Sequence, residues 1–189
     1  PTGGCLTRQI ADIFLHWVLF YKINLKIFTI EEIEFWRRFI DDCIGIWKGT
    51  QRQFMLFFRK LNAETKAYGI NFPEKEIQFG KSVNYLDLTL YIDQENLIRY
   101  KSYTKPTDSK RYLNPRSFHP KHVFKSVPTS QMIRTMKRNS DQENCKEDII
   151  ELKHNLKKSG YNDRSLKMTE EAALERLNNQ FTRKPSDTV

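Results

Sequence analysis

Cysteines and long apolar runs are scarce in this sequence, and each scarcity excludes a class of protein. Three cysteines occur among 189 residues, and an odd number at wide spacing forms neither a disulfide framework nor a zinc pattern. The longest apolar stretch, residues 10–20, is interrupted by an aspartate and a histidine, so we expect no transmembrane span and no signal peptide. The composition therefore favours a reducing, intracellular compartment.

Acidic residues are also in deficit. The chain has 23 of them against 32 lysines and arginines, a formal net charge of +9. A surplus of this size suits a polyanion or an anionic membrane surface as partner, although an ordinary basic soluble domain carries similar charge. Hydrophobic residues make up 39% of the chain, enough to bury a core, and the first residue is Pro1 rather than methionine. We therefore expect a folded fragment of a longer protein.

Apolar spacing predicts two helices and a hairpin in the first part of the chain. Apolar residues recur every three or four positions over 6–21 and again over 51–68, where Gly69 follows as a C-cap. Between these helices, two β-favouring runs at 35–40 and 43–47 are separated by only two residues. This arrangement predicts a tight β-hairpin with acids at its tip.

A second hairpin and a helical region are predicted further along. Residues 86–93 alternate between apolar and polar side chains, and 97–103 supply a partner strand. After residue 104 the composition becomes rich in proline and basic residues, which indicates a boundary. The helices predicted beyond it cover residues 130–139, 143–158 and 168–180.

The adjacent carboxylates of Asp41 and Asp42 lie within an otherwise apolar run. Burial of ionised groups costs several kcal/mol unless they are paired or bind a metal. Mg²⁺ is a suitable partner, because carboxylate oxygens bind it and two such ions align an attacking 3′-hydroxyl and a leaving pyrophosphate. From the residues alone, a solvated acidic turn remains the alternative.

Four segments of the chain, taken in sequence order, resemble segments of the reverse transcriptase of Penelope-like retroelements. The resemblance covers roughly residues 1–160. Phe39-Ile40-Asp41-Asp42 is similar to the aromatic-x-Asp-Asp box on the palm hairpin. Residues 3–13 are similar to the glycine loop and helix under the templating base and incoming nucleotide. Residues 84–91 resemble the segment that closes the palm and holds the primer end, and residues 105–138 resemble the palm-to-thumb region.

This resemblance implies a two-metal polymerase site. Asp41 and Asp42 would be catalytic carboxylates that bind Mg²⁺, with Asp41 the more direct ligand. A third aspartate and the fingers of such an enzyme would precede Pro1, so this chain alone would be inactive. The residues that would line the template and nucleotide site are Gly3, Gly4, Thr7 and Gln9.

Cations interleaved with aromatic residues between positions 103 and 138 favour contact with a phosphate backbone, although a solvated basic face has the same pattern. Two of the candidates, His119 and His122, flank Pro120, which prevents a regular helical metal-binding pair. The residues predicted to bind nucleic acid are Lys105, Arg111, His119, His122, Arg134 and Arg138.

The sequence thus predicts an α+β fold in which antiparallel palm hairpins are backed by helices (1–104), followed by a mostly helical, basic thumb (105–182) and a linker (183–189). The predicted function is RNA-directed DNA synthesis in the nucleus, with an RNA template, a DNA primer, deoxynucleotides and Mg²⁺, and without a membrane partner. The alternative is an inactive truncated copy that acts at most as a basic nucleic-acid-binding module. A helical scaffold for a protein partner is a third possibility.

Overall fold

A computed structural model describes residues 6–22 and 31–182, and the fold is mixed α and β with small antiparallel sheets. The chain divides into two compact units, residues 1–80 and 81–189. In the described ranges, no helix combines the length and apolarity needed to cross a bilayer. The coarse α+β prediction is confirmed.

The first unit contains a β-hairpin that lies between two helices in sequence. The hairpin strands are antiparallel, with Phe39 opposite Asp42. The predicted hairpin and both predicted helices are confirmed to within a few residues, and the second helix continues through a 3₁₀ turn to Gly69, which has a φ of 71°. The elements are α1 (Thr7–Trp17), β1 (Ile33–Phe39), β2 (Asp42–Trp47) and α2 (Gln51–Thr65).

An aromatic cluster holds α2 against β2. The ring of Trp47 stacks on Phe57 with centroids 5.7 Å apart, and it meets the ring of Phe54 edge-on at 5.5 Å. One helical turn further on, Phe58 and Leu61 are buried. The apolar residues whose spacing predicted this helix therefore form its packed face, and aromatic packing of this kind contributes more than its buried area alone.

The apolar face of α1 is largely exposed. The exposed fractions are 62% for Ile10 and 69% for Ile13, and Tyr21, in the π-helical turn after α1, is 72% exposed. Trp17 makes an edge-on contact with Tyr68, with ring centroids 6.4 Å apart. The helix predicted by the spacing is present, but most of its apolar face has no covering element among the described residues.

The second unit begins with a three-stranded antiparallel sheet in the order β3-β4-β5. In the central strand, Leu90 lies opposite Val83 on one side and Tyr100 on the other. The predicted second hairpin is confirmed as β4 and β5, and β3 is a strand that the apolar alternation did not indicate. The strands are β3 (Ser82–Tyr85), β4 (Leu88–Ile92) and β5 (Ile98–Ser102).

Three helices complete the second unit. They are α3 (Lys121–Lys137), α4 (Gln142–Lys158) and α5 (Asp163–Thr182). The predicted start of α3 at residue 130 is wrong by nine residues, because Pro128 lies inside the helix and is buried there. The predicted start of α5 at 168 is also too late. The 183–189 linker lies outside the described residues.

Short turns connect these helices around one core. Asp141 caps α4 by accepting hydrogen bonds from the backbone N–H groups of Glu143 and Asn144, at 2.8 and 3.1 Å. Gly160 ends α4 with a φ of 102°, a conformation that glycine adopts without strain. The buried core consists of Met132, Ile149, Leu152, Leu156, Tyr161, Leu166 and Ala173.

The edge strand of the sheet is hydrogen-bonded to the turn between α3 and α4. The backbone N–H of Tyr100 donates to the Ser140 hydroxyl, and the backbone N–H of Ser140 donates to the Tyr100 carbonyl, both at 2.9 Å. The amide oxygen of Asn139 accepts from the Ser102 backbone at 3.4 Å. These bonds place the second hairpin in the same unit as the helices, the unit that begins at residue 81.

Leu156→Ala should lower the free energy of unfolding by about 2–5 kcal/mol, because it removes a fully buried side chain and leaves a cavity. The measurement is urea unfolding followed by circular dichroism. Ile150→Ala on the same helix is the control, because Ile150 is 67% exposed and its truncation should change stability by less than about 0.5 kcal/mol. Equal losses in the two variants would contradict the position of this core.

Candidate nucleic-acid interface

The two acids predicted to be catalytic lie at the tip of the first hairpin. Ile40 and Asp41 form the turn, and Ile40 has a φ of 57°, a left-handed conformation that is unusual for a branched residue. The side chain of Arg38 supports this turn by donating to the Ile40 carbonyl at 2.6 Å. The structure therefore brings Asp41 and Asp42 together on a braced turn.

Both acids are exposed to solvent, so the premise that these carboxylates are buried within an apolar run is wrong. Because Asp41 and Asp42 are hydrated at the tip, no burial cost requires a metal to offset it. In the described part of the chain, no group of three or more histidine, cysteine, aspartate or glutamate side chains could hold a metal ion. The two carboxylates offer the oxygen ligands that Mg²⁺ prefers, but they form only part of a coordination shell.

An ion pair joins the hairpin to the helix that precedes it. The Arg38 guanidinium donates to the Asp12 carboxylate at 2.8 Å, and both side chains are partly shielded from water. Thr7 and Gln9, predicted to line the template and nucleotide site, lie in the first turn of this same helix α1. The other two predicted members, Gly3 and Gly4, lie outside the described residues.

The thiol of Cys43 lies beside the acidic tip. Burial raises the pKa of this thiol above its ordinary value, Arg38 counteracts that shift, and the negative charges of Asp42 and Asp41 raise the pKa further. The Cys43 thiol is therefore sensitive to the charge state of the hairpin tip.

A polar cleft of about 730 Å³ lies in the second unit, between the β3–β4 turn, the loop after β5, and helices α3 and α4. Four of the six residues predicted to bind nucleic acid line it: Lys105, Arg111, Arg134 and Arg138. The remaining two, His119 and His122, lie away from the cleft lining, around the start of α3. The ring of His119 is within hydrogen-bond distance of the Ser117 hydroxyl, at 3.1 Å.

Cations outnumber acids along this cleft. Its acidic lining residues are Asp87, Asp108, Asp148 and Glu151, and its basic ones are Lys101, Lys105, Lys110, Arg111, Arg134 and Arg138. Lys110 forms an ion pair with Glu151. By contrast, Lys101, Lys105 and Arg111 are exposed and make no ion pair within residues 6–22 and 31–182. These three side chains are therefore available to an anionic ligand.

Arg134 and Arg138 share one partner, Asp87 in the β3–β4 turn. The Arg134 guanidinium donates to Asp87 Oδ2 at 2.7 Å, and the Arg138 guanidinium donates to the same oxygen. Burial and the neighbouring Arg134 charge lower the pKa of Arg138, and Asp87 offsets part of that shift. Asp87 lies in the 84–91 segment, but nothing in the local alternation links it to arginines 47 and 51 residues away.

Comparison with protein families gives a match over the helices of this unit. The family described as "Animal helix-turn-helix domain" matches residues 111–169, under half of the chain. The matched segment covers α3, α4 and the beginning of α5, together with the two short turns that connect them. Comparison with curated proteins and with solved structures gives no match.

Replacing Asp41 and Asp42 together with asparagine should lower the pKa of Cys43, because two negative charges beside the thiolate are removed. The measurement is the pH dependence of Cys43 alkylation by iodoacetamide, in a chain whose other two cysteines are serine. Glu171→Gln in α5 is the control, since it removes a carboxylate from the other unit. A profile that stays unchanged in the double variant would contradict the geometry of the hairpin tip.

Proposed function

We propose that this chain is part of a reverse transcriptase of the Penelope-like kind. The first unit would carry part of the palm, and the second unit would hold the primer–template duplex. The observation that carries this proposal is that the helix-turn-helix match and the cationic cleft fall on the same helices, α3 and α4. The ordered series of sequence segments described above gives the polymerase assignment.

Nucleic-acid binding by the second unit is supported by charge and by helix arrangement. Exposed cations without internal partners bind phosphates and release condensed counterions, which supplies most of the sequence-independent affinity. In helix-turn-helix proteins the second helix of the motif enters the major groove. Here α5 follows α4 after a short turn, and its first turn exposes Arg164 and Lys167.

The polymerase role would use the acidic hairpin tip. Asp41 and Asp42 would hold Mg²⁺, which lowers the pKa of a primer 3′-hydroxyl and stabilises the leaving pyrophosphate. Arg38 would keep the tip in place through its bond to the Ile40 carbonyl. The substrates would be an RNA template, a DNA primer and deoxynucleotides, and the enzyme would act in the nucleus.

A second candidate function is DNA binding without catalysis, as expected of an inactive copy. The family match favours it directly, because helix-turn-helix units are a DNA-binding type and the match covers no residue of the acidic hairpin. The two candidates differ in the duplex they prefer. A helix fits the wide major groove of B-form DNA, whereas the major groove of an A-form helix is too deep and narrow to be read, so contacts with A-form duplexes go mainly to the backbone.

Lys105→Ala combined with Arg111→Ala should weaken binding of an RNA–DNA hybrid and reduce the salt dependence of its affinity. Each lost phosphate contact removes about 0.7–0.9 from the slope of log K against log salt. The measurement is fluorescence anisotropy with the full chain at several salt concentrations. Lys146→Ala with Lys158→Ala is the charge-matched control, because these exposed α4 residues do not line the cleft. An equal loss in both double variants would argue against the cleft as the interface.

The same titration with a B-form DNA duplex separates the two candidates. Affinity for the hybrid equal to or above that for DNA supports the reverse-transcriptase assignment, and a clear preference for DNA supports the non-catalytic module. No binding of either duplex at low salt would overturn both.

Catalysis is tested by primer extension with Mg²⁺, after fusing the chain to the fingers and first palm strand of a related reverse transcriptase. We expect incorporation that Asp41→Ala reduces by at least about 100-fold, because mispositioned reacting groups alone cost this much. Glu64→Ala is the control, since it removes an exposed carboxylate of α2 in the same unit that has no part in the proposed site. Incorporation that persists after Asp41→Ala would refute the catalytic assignment.

A further inference from the structure

The Asp87 carboxylate lies between the guanidinium groups of Arg134 and Arg138, where an anionic ligand could also bind. The two arginines are one helical turn apart on α3, and like charges at this spacing repel one another. Their guanidinium groups nevertheless converge on a single oxygen, Asp87 Oδ2. Such convergence is favourable only while an anion lies between the two groups.

The ion pairs of Asp87 are partly exposed to water. Its side chain is 53% exposed, and the Arg134 side chain is 50% exposed. The ion pair with Arg134 therefore contributes little net stability, because water competes and the side chains lose freedom, while the Arg138 side chain is more shielded, at 23% exposed. The backbone of Asp87 is fixed independently, since its carbonyl accepts a hydrogen bond from the Tyr103 N–H at 2.9 Å. The carboxylate can therefore rotate out of the cleft without moving the β3–β4 turn.

A phosphodiester group can also bridge the two guanidinium groups, which in the free protein both donate to Asp87 Oδ2. It presents two non-bridging oxygens, so each guanidinium can donate to a separate acceptor, and such charge-assisted bonds are among the strongest in proteins. Further phosphates would meet Lys101, Lys105 and Arg111, which line the same cleft and form no ion pair with any described residue. The cleft thus offers further positive charges beside the arginine pair.

We propose that Asp87 is an internal substitute for a nucleic-acid phosphate. When a duplex binds, one backbone phosphate takes the place of the Asp87 carboxylate between Arg134 and Arg138, and the Asp87 side chain turns towards solvent. Asp87 thereby keeps the arginine pair positioned in the free protein and competes with weakly held anions. This inference rests on the proposed nucleic-acid binding of the second unit and identifies the site of one phosphate within it.

The variant Asp87→Asn tests whether the Asp87 carboxylate and a backbone phosphate compete for the arginine pair. In the full chain, affinity for the RNA–DNA hybrid should rise at least about twofold, because a phosphate no longer has to displace the two ion pairs that Asp87 makes with Arg134 and Arg138. Asp108→Asn is the matched control, because Asp108 lines the same cleft and carries the same charge but does not contact the arginine pair. A gain confined to Asp87→Asn supports the proposal. No gain, or the same gain in both variants, overturns it.

A second measurement follows duplex binding in the unaltered chain and uses variants only to assign the signals. The arginine Nε–Hε signals of Arg134 and Arg138 are followed by NMR, with Arg134→Lys and Arg138→Lys for assignment. Shifts of both signals on addition of the hybrid support the proposal, and unchanged signals in a chain that binds the hybrid overturn it. Equal shifts with inorganic phosphate, at the same phosphate concentration, would contradict the claim that the bound phosphate belongs to a nucleic acid. A chain that binds neither hybrid nor DNA duplex overturns the proposed function itself.

Discussion

The second unit depends on the hydrogen bonds between the edge strand β5 and the turn that connects α3 to α4. An edge strand carries unpaired backbone groups, and here Ser140 satisfies those of Tyr100 through its backbone and its hydroxyl. This attachment holds the sheet against the C-terminal end of α3. The β3–β4 turn is consequently placed where Asp87 meets Arg134 and Arg138.

In the second unit, cations from separate elements line one cleft beside that attachment. A net charge of +9 spread evenly would only favour solubility and weak association with polyanions. In the folded second unit, six cations line one cleft with four acids, and three of the cations make no ion pair among the described residues. The helix-turn-helix match covers α3 and α4, which form one wall of this cleft. The family match and the cationic cleft therefore overlap on α3 and α4.

Local elements could be predicted from the sequence where short-range patterns decide them. The first hairpin and α2 followed from β-favouring runs and apolar spacing, and α2 is further fixed by a capping box between Thr50 and Gln53. The start of α3 could not be predicted, because Pro128 disfavours a helix locally and tertiary burial overrides that preference. The exposure of Asp41 and Asp42 could not be predicted either, since apolar flanking residues alone do not show which side of a hairpin faces water.

By itself, the sequence determined most of the element types, the acidic hairpin tip and the basic character of the second half. These depend on residue identity and on spacing within a few positions. Only the tertiary structure decided that the second hairpin joins the helices, that four predicted cations share one cleft, and that Asp87 lies between two of them. Pairings across 40 to 51 residues arise from packing and edge hydrogen bonds, which leave no periodic signal in the chain.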